Sequence, residues 1–109
     1  MNEYVPDTWS VFKITNEGET FYKILGGWYG GYVNGDSWRL NSGIERVELL
    51  DGQYHFHGFS GSVYKCSPDS YGMRRPTIDI WSTMKDRFPD QVELLEDCDW
   101  SQFDFGVKR

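Results

Sequence analysis

Three side chains in this sequence combine the types and spacing needed for chemistry. His55 and His57 stand two residues apart, and Glu48 lies across from His55 if Asp51-Gly52 turns a hairpin. Two imidazoles and one carboxylate are a recurring metal-ligand set. The same hairpin face also carries Arg46, which repels a cation, and these positions form the natural solvent side of the hairpin. No metal is therefore assigned. As a general base, His55 needs a partnered nucleophile. Ser60, Ser62 and Cys66 are near in sequence, but neither a G-x-S-x-G elbow nor a cysteine motif frames them. The residues point to a chain without catalytic machinery or cofactor, with a metal-dependent hydrolase at Glu48, His55 and His57 as the second alternative.

A different chemistry is available to the aromatic side chains. The stretch from Gly26 to Leu40 holds two Gly-Gly pairs among Trp28, Tyr29, Tyr32 and Trp38. Such glycines either bend a strand or bare its backbone to a ligand, and in the second case the four rings are a binding floor. Further on, Tyr71, Arg74 and Arg75 combine a ring with two cations, a set able to stack a base and hold a phosphate. Together these seven residues are the candidate ligand site. The glycine spacing does not fit a dinucleotide fingerprint, and no helix follows it. From Asp90 to Phe105 there are six acids, no base and three aromatics. Trp100, Phe103, Asp104 and Phe105 are candidate partner-binding residues there, on a surface that mimics nucleic-acid charge; the alternative is that the rings dock on the core.

The elements that must position these groups are mostly strands. Residues 1–7 read as an extended lead-in. Thr8–Thr15 and Thr20–Leu25 are rich in β-branched and aromatic residues and form a hairpin across Asn16-Glu17-Gly18-Glu19. Asn34-Gly35 predicts a type I′ turn between two strands over residues 27–40. That register sets Val33 across from Asp36, Tyr32 from Ser37, Gly31 from Trp38 and Tyr29 from Leu40. Ile44–Leu50 and Gln53–Phe59 form the next hairpin, with Leu49 across from Tyr54, Val47 from Phe56, Glu48 from His55 and Arg46 from His57. One face is then apolar and the other polar. Ser62–Cys66 is a further strand, and Ser67-Pro68 caps a single helical turn stopped by Gly72. The spacing of Ile80, Trp81, Met84 and Phe88 predicts a helix over Thr77–Phe88, capped by Thr77 and ended by Pro89. Val92–Leu95 is short and extended.

These elements make one α+β domain over 1–109: β hairpins over 8–66, a helix at 77–88 and an acidic, aromatic tail at 90–109. The sheet is expected to be strongly bent and antiparallel, or closed into a small SH3-like barrel of consecutive hairpins, with the C-terminal helix packed on it. Aromatics are 17% of the 109 residues, so the core must be built from few, large side chains. Net charge is −6, of which residues 90–109 carry −4, and this opposes binding to duplex nucleic acid. No apolar run is long enough to span a membrane, and the N-terminus does not read as a signal peptide. Cys66 and Cys98 are expected as separate thiols. The start methionine and these absences suggest a complete cytoplasmic protein.

The runs Trp28–Tyr32, Gly35–Ile44 and Gly61–Cys66 resemble small uncharacterised proteins of large tailed bacteriophages, a similarity spanning roughly residues 8–75. The resemblance carries no activity and no site residues. It implies a phage-encoded accessory protein of the host cytoplasm that binds a host protein or sequesters a small ligand. A nucleotide or single-strand binding module is the alternative.

Overall fold

The computed structural model describes residues 2–31, 35–74 and 77–105. Eight strands run β1 Glu3–Tyr4, β2 Thr8–Asn16, β3 Glu19–Gly31, β4 Gly35–Leu40, β5 Ile44–Leu50, β6 Gln53–Gly58, β7 Val63–Cys66 and, after helix α1 Thr77–Arg87, β8 Val92–Leu94. They form two four-stranded sheets, ordered β1-β7-β6-β5 and β4-β3-β2-β8. Among the described residues every strand-to-strand pairing is antiparallel except β1 on β7. The α+β, sheet-dominated class follows the sequence; the barrel does not. Among the described residues the strands divide between two facing sheets and no closed barrel forms. Part of the cause lies in residues 1–7, where β1 pairs in parallel with β7 and occupies one edge of its sheet.

Turn chemistry sets the two hairpins that match expectation. Asp51 and Gly52 have φ of 52° and 78°, the paired positive values a type I′ turn requires. All four predicted pairs, from Leu49–Tyr54 to Arg46–His57, are present. Glu17 and Gly18 do the same between β2 and β3, with φ of 52° and 81°, and Asn16 pairs with Glu19.

The Asn34-Gly35 register is corrected. Thr20–Leu25 and the Gly-rich stretch are one 13-residue strand. Gly35 pairs with Gly31 in the ladder, so it is not a central turn residue; Asn34, Tyr32 and Val33 lie outside the described residues. Leu40 faces Leu25 and Trp38 faces Gly27, four positions from the expected partners, with an irregularity between Trp28 and Gly31. Along Leu25–Trp28 the shift is even, so Trp38 and Leu40 keep their expected faces and Trp38 still lies across from a glycine. Gly26 and Gly27 serve internal packing. A Cβ on Gly26 would lie 3.1 Å from Pro6, and one on Gly27 only 2.6 Å from the Tyr29 hydroxyl and 2.9 Å from Thr77.

The core lies between the sheets. Trp9, Val11, Ile24, Ile44, Phe56, Tyr64, Cys66 and Trp100 are at most 1% exposed. β2 is buried on both faces: Trp9 and Val11 join that core, while Phe12 turns outward and meets the edge of Trp81 on α1 at 5.0 Å. The helix ends at Arg87, one residue before the predicted Phe88, and lies on the β4-β3-β2-β8 sheet. Its stripe packs less deeply than the spacing suggests. Ile80, Trp81 and Met84 are half-buried and Phe88 is 48% exposed. Thr77 is the buried helical residue, and its hydroxyl bonds back to the Arg74 carbonyl instead of capping forward.

The tail from Leu95 onward returns to the core. Leu95 donates to the Val11 carbonyl, and Asp99 caps a 3-10 turn at Trp100–Gln102 that buries the Trp100 ring.

Gly27→Ala tests this use of glycine. A methyl group there must displace the Tyr29 hydroxyl or Thr77, and overpacking of this kind costs about 1–3 kcal/mol. A urea melt should show that loss; a melt within about 0.5 kcal/mol of wild type contradicts it.

Candidate functional site

Trp28 and Tyr29 are adjacent on β3 and therefore point to opposite faces. Trp28 turns to the core side. Its Nε1 donates to the Val5 carbonyl at 2.9 Å and its ring meets Tyr4 edge-on at 6.3 Å. Tyr29 turns to the helix side. Its amide donates to Asp7 Oδ2 at 2.8 Å, and its hydroxyl lies 2.9 Å from Thr8 Oγ1 and 3.2 Å from Thr77 Oγ1. The Arg74 guanidinium caps the Tyr29 ring at 4.4 Å. The expected four-ring floor is thus split between two faces, and the two described β3 rings are engaged by the chain's own groups.

Tyr71 and Arg74 do meet. The segment Asp69–Arg74 runs beside Asp7 and Thr8, and an open polar cleft lies between them with Asp7, Thr8, Asp69, Tyr71 and Arg74 on its walls. Asp7 and Asp69 carried no signal in the sequence, because only the docking of residues 69–74 on β2 brings them together. That docking is specific: Gly72 N–H donates to the Trp9 carbonyl at 2.8 Å, and Ser10 Oγ donates to the Gly72 carbonyl at 3.0 Å. The predicted Ser67 cap holds the segment's start, accepting from the Asp69 amide at 3.3 Å. Tyr71 is structural within this cleft. Its hydroxyl accepts from the Val11 amide at 3.1 Å and donates to the Leu95 carbonyl at 2.6 Å, while its ring stacks on Trp100 at 5.6 Å. Arg75 lies outside the described residues.

Trp38 stands apart from this cleft. It lies on β4, at the edge of its sheet, and is 45% exposed. Of the five tryptophans, Trp9 and Trp100 are fully buried and Trp28 and Trp81 half-buried. Beside Trp38, the Arg39 guanidinium caps Tyr4 at 4.6 Å.

The candidate partner residues of the tail divide in the same way. Trp100 and Phe105 are 0% and 8% exposed and belong to the core, where they present no surface to a partner. Phe103 is half-buried against Tyr22 and Trp100, and Asp104 is exposed. Docking of the rings has prevailed, because a 109-residue chain this rich in aromatics closes its core with them.

On the β5–β6 face, Glu48 Oε1 lies 2.8 Å from Arg46 Nη1 and 2.8 Å from His57 Nε2. The Arg46 hydrogen bond, then that from His57, holds the Glu48 carboxyl below its ordinary range. Arg46 thus stands where a cation would bind. Among the described residues, no group of three or more His, Cys, Asp or Glu gathers at metal-binding spacing. Cys66 is a buried free thiol, pushed up by that burial, and Cys98 is an exposed one.

The sequence also left unmarked an open apolar groove over Ile14, Phe21, Met84, Phe88 and Val92. Its walls come from β2, β3, α1 and β8, elements distant in sequence. No described helix is long and apolar enough to cross a membrane.

Burial pushes the Tyr64 and Tyr71 phenols up to about 12. In the unfolded chain they ionise near 10. Their contribution to stability is therefore complete below pH 10 and is lost as pH rises toward 12. In a 295 nm titration, late-ionising phenols should appear together with loss of near-UV dichroism. All seven tyrosines titrating near pH 10 in a folded chain would contradict this.

No family model, curated protein or solved structure matches this chain.

Proposed function

We propose that this chain is a non-enzymatic binding protein that engages a protein partner through the β4 edge. The observation that carries the reading is Trp38, a large ring 45% exposed on an edge strand. Tryptophan concentrates at the energetic centres of protein interfaces. An edge strand offers backbone donors and acceptors to an extended segment of a partner, which adds as a further strand. β4 is the longer edge strand of its sheet, with six residues against three in β8. The resemblance to tailed-phage proteins directs the search for that partner to a bacterial host.

Binding of nucleotides or single strands is less well supported. Stacking needs open ring faces, and Arg74 covers Tyr29 while Tyr4 lies against Trp28.

The test compares wild type with Trp38→Ala in capture from host lysate. The substitution removes a half-exposed ring and should cost less than about 1 kcal/mol in a urea melt. Recovery of the specific partner should fall at least about tenfold, as for an interface hot spot. Equal recovery by both proteins would overturn the reading.

A further inference from the structure

Among the described residues β5 is the longest edge strand. It ends the β1-β7-β6-β5 sheet with seven residues, against six in β4, three in β8 and two in β1. Within the described chain it pairs only with β6, and no other backbone bond reaches it. Residues 101–105 border Glu45–Val47 across an open cleft without joining the ladder. β5 holds no lysine or proline, which commonly protect an edge, and the irregularity in its ladder lies at its start, between Ile44 and Arg46. Leu49 and Leu50 are 50% and 44% exposed.

The Asp51-Gly52 turn fixes which backbone groups of β5 face outward. Its type I′ dihedrals make Leu50 and Gln53 a hydrogen-bonded pair. Bonded and non-bonded pairs alternate along an antiparallel ladder, so Glu48–His55 and Arg46–His57 are bonded pairs as well. The N–H and C=O of Val47 and Leu49 therefore point away from β6, toward the open edge. Val47 is also the middle residue of Ile44–Leu50. On either side of it stand Arg46 and Glu48, on the polar face of the strand, each with its side chain 42% exposed. Their ion pair within the chain uses one guanidinium nitrogen, Nη1, and one carboxylate oxygen, Oε1, which His57 shares. A guanidinium has five N–H donors and a carboxylate accepts through both oxygens, so both groups keep capacity for a further partner.

We propose that the β5 edge binds the β5 edge of a second copy of this chain, antiparallel about a two-fold axis at Val47. The sequence around that axis is self-complementary. Val47 exchanges both backbone bonds with Val47 of the second copy. Arg46 of each copy then lies across from Glu48 of the other, at the non-bonded positions where side chains approach most closely. An axis at Arg46 or at Glu48 sets like charges opposite each other. An axis at Glu45 or at Leu49 gives neither residue an opposite charge. The paired stretch contains Leu49 and Leu50, and the two copies of the four-stranded sheet become one continuous sheet. This surface belongs to the other sheet from β4 and does not involve Trp38.

Sedimentation velocity tests this with wild type, Arg46→Glu, Glu48→Arg and Trp38→Ala, from about 10 μM to about 1 mM, the range suited to a small two-strand interface. Salt at about 0.15 M screens the net charge of −6 on each copy. Wild type and Trp38→Ala should form dimers with the same dissociation constant. Arg46→Glu and Glu48→Arg each set two like-charged pairs across the axis and should weaken the dimer at least about tenfold. An equimolar mixture of these two variants sets two carboxylates across from two guanidinium groups and should recover the wild-type dimer. Wild type that stays monomeric, single variants that dimerise as wild type does, a mixture that stays monomeric, or loss of the dimer in Trp38→Ala would each overturn the proposal. If a single variant does not fold, the double variant Arg46→Glu/Glu48→Arg decides. It keeps both charges and should dimerise like wild type, and a monomeric double variant overturns the register.

Discussion

Trp9 carries the packing on which the other layers depend. Its ring is fully buried and meets Tyr54 and Phe56 of the facing sheet, Tyr71 of the docked segment and Trp100 of the tail, with centroids 4.8–6.2 Å apart. Its Nε1 donates to the Ser67 carbonyl at 2.7 Å, so the polar end of the ring is satisfied within the protein. Three parts of the chain, all far from Trp9 in sequence, close on one side chain. A small domain rich in aromatics achieves burial this way because each ring removes a large apolar area from water for little side-chain entropy.

From that centre the structure grows outward on both sides of β2. Inward lie the rings of the facing sheet and the tail. Outward, Phe12 meets Trp81 and brings the helix onto the sheet. Tyr29 does a comparable job at the start of α1, holding Thr8, Thr77 and Arg74 around one hydroxyl. Gly27 makes room for that hydroxyl. The aromatic surplus is thus largely absorbed by the fold; among the tryptophans Trp38 is the exposed one, and Phe59 and Phe88 are exposed with it. The same economy separates the polar cleft at Asp7–Arg74 from a ligand floor: its ring, Tyr71, is already committed to Trp9 and Trp100.

How much of this was legible in the sequence followed the range of the interactions. The Asp51-Gly52 hairpin was readable residue by residue, because its turn dihedrals and its two-faced pattern agree. The β2–β3 turn was readable as turn chemistry for the same local reason. The Asn34-Gly35 register failed because a local turn preference competed with packing around Gly26 and Gly27, which depends on Pro6 and Thr77 far away in the chain. The parallel pairing of β1 with β7 left no local mark, since neither strand's sequence names its partner. For the tail, alternating acid and ring was visible, but whether the rings faced inward or outward depended on the hole that Trp9, Phe56 and Tyr71 leave. Site residues divided the same way: Arg74 and Tyr71 were visible by type, whereas Asp7 and Asp69 come together only after folding.

The central claim is that the acidic tail completes the core through Trp100. Urea denaturation of Trp100→Ala tests this most directly. Removing a fully buried tryptophan should cost about 3–5 kcal/mol, enough to leave a small domain marginal or unfolded. A loss below about 1 kcal/mol, with the denaturant slope unchanged, would contradict the claim and mean that the two sheets close their core without the tail.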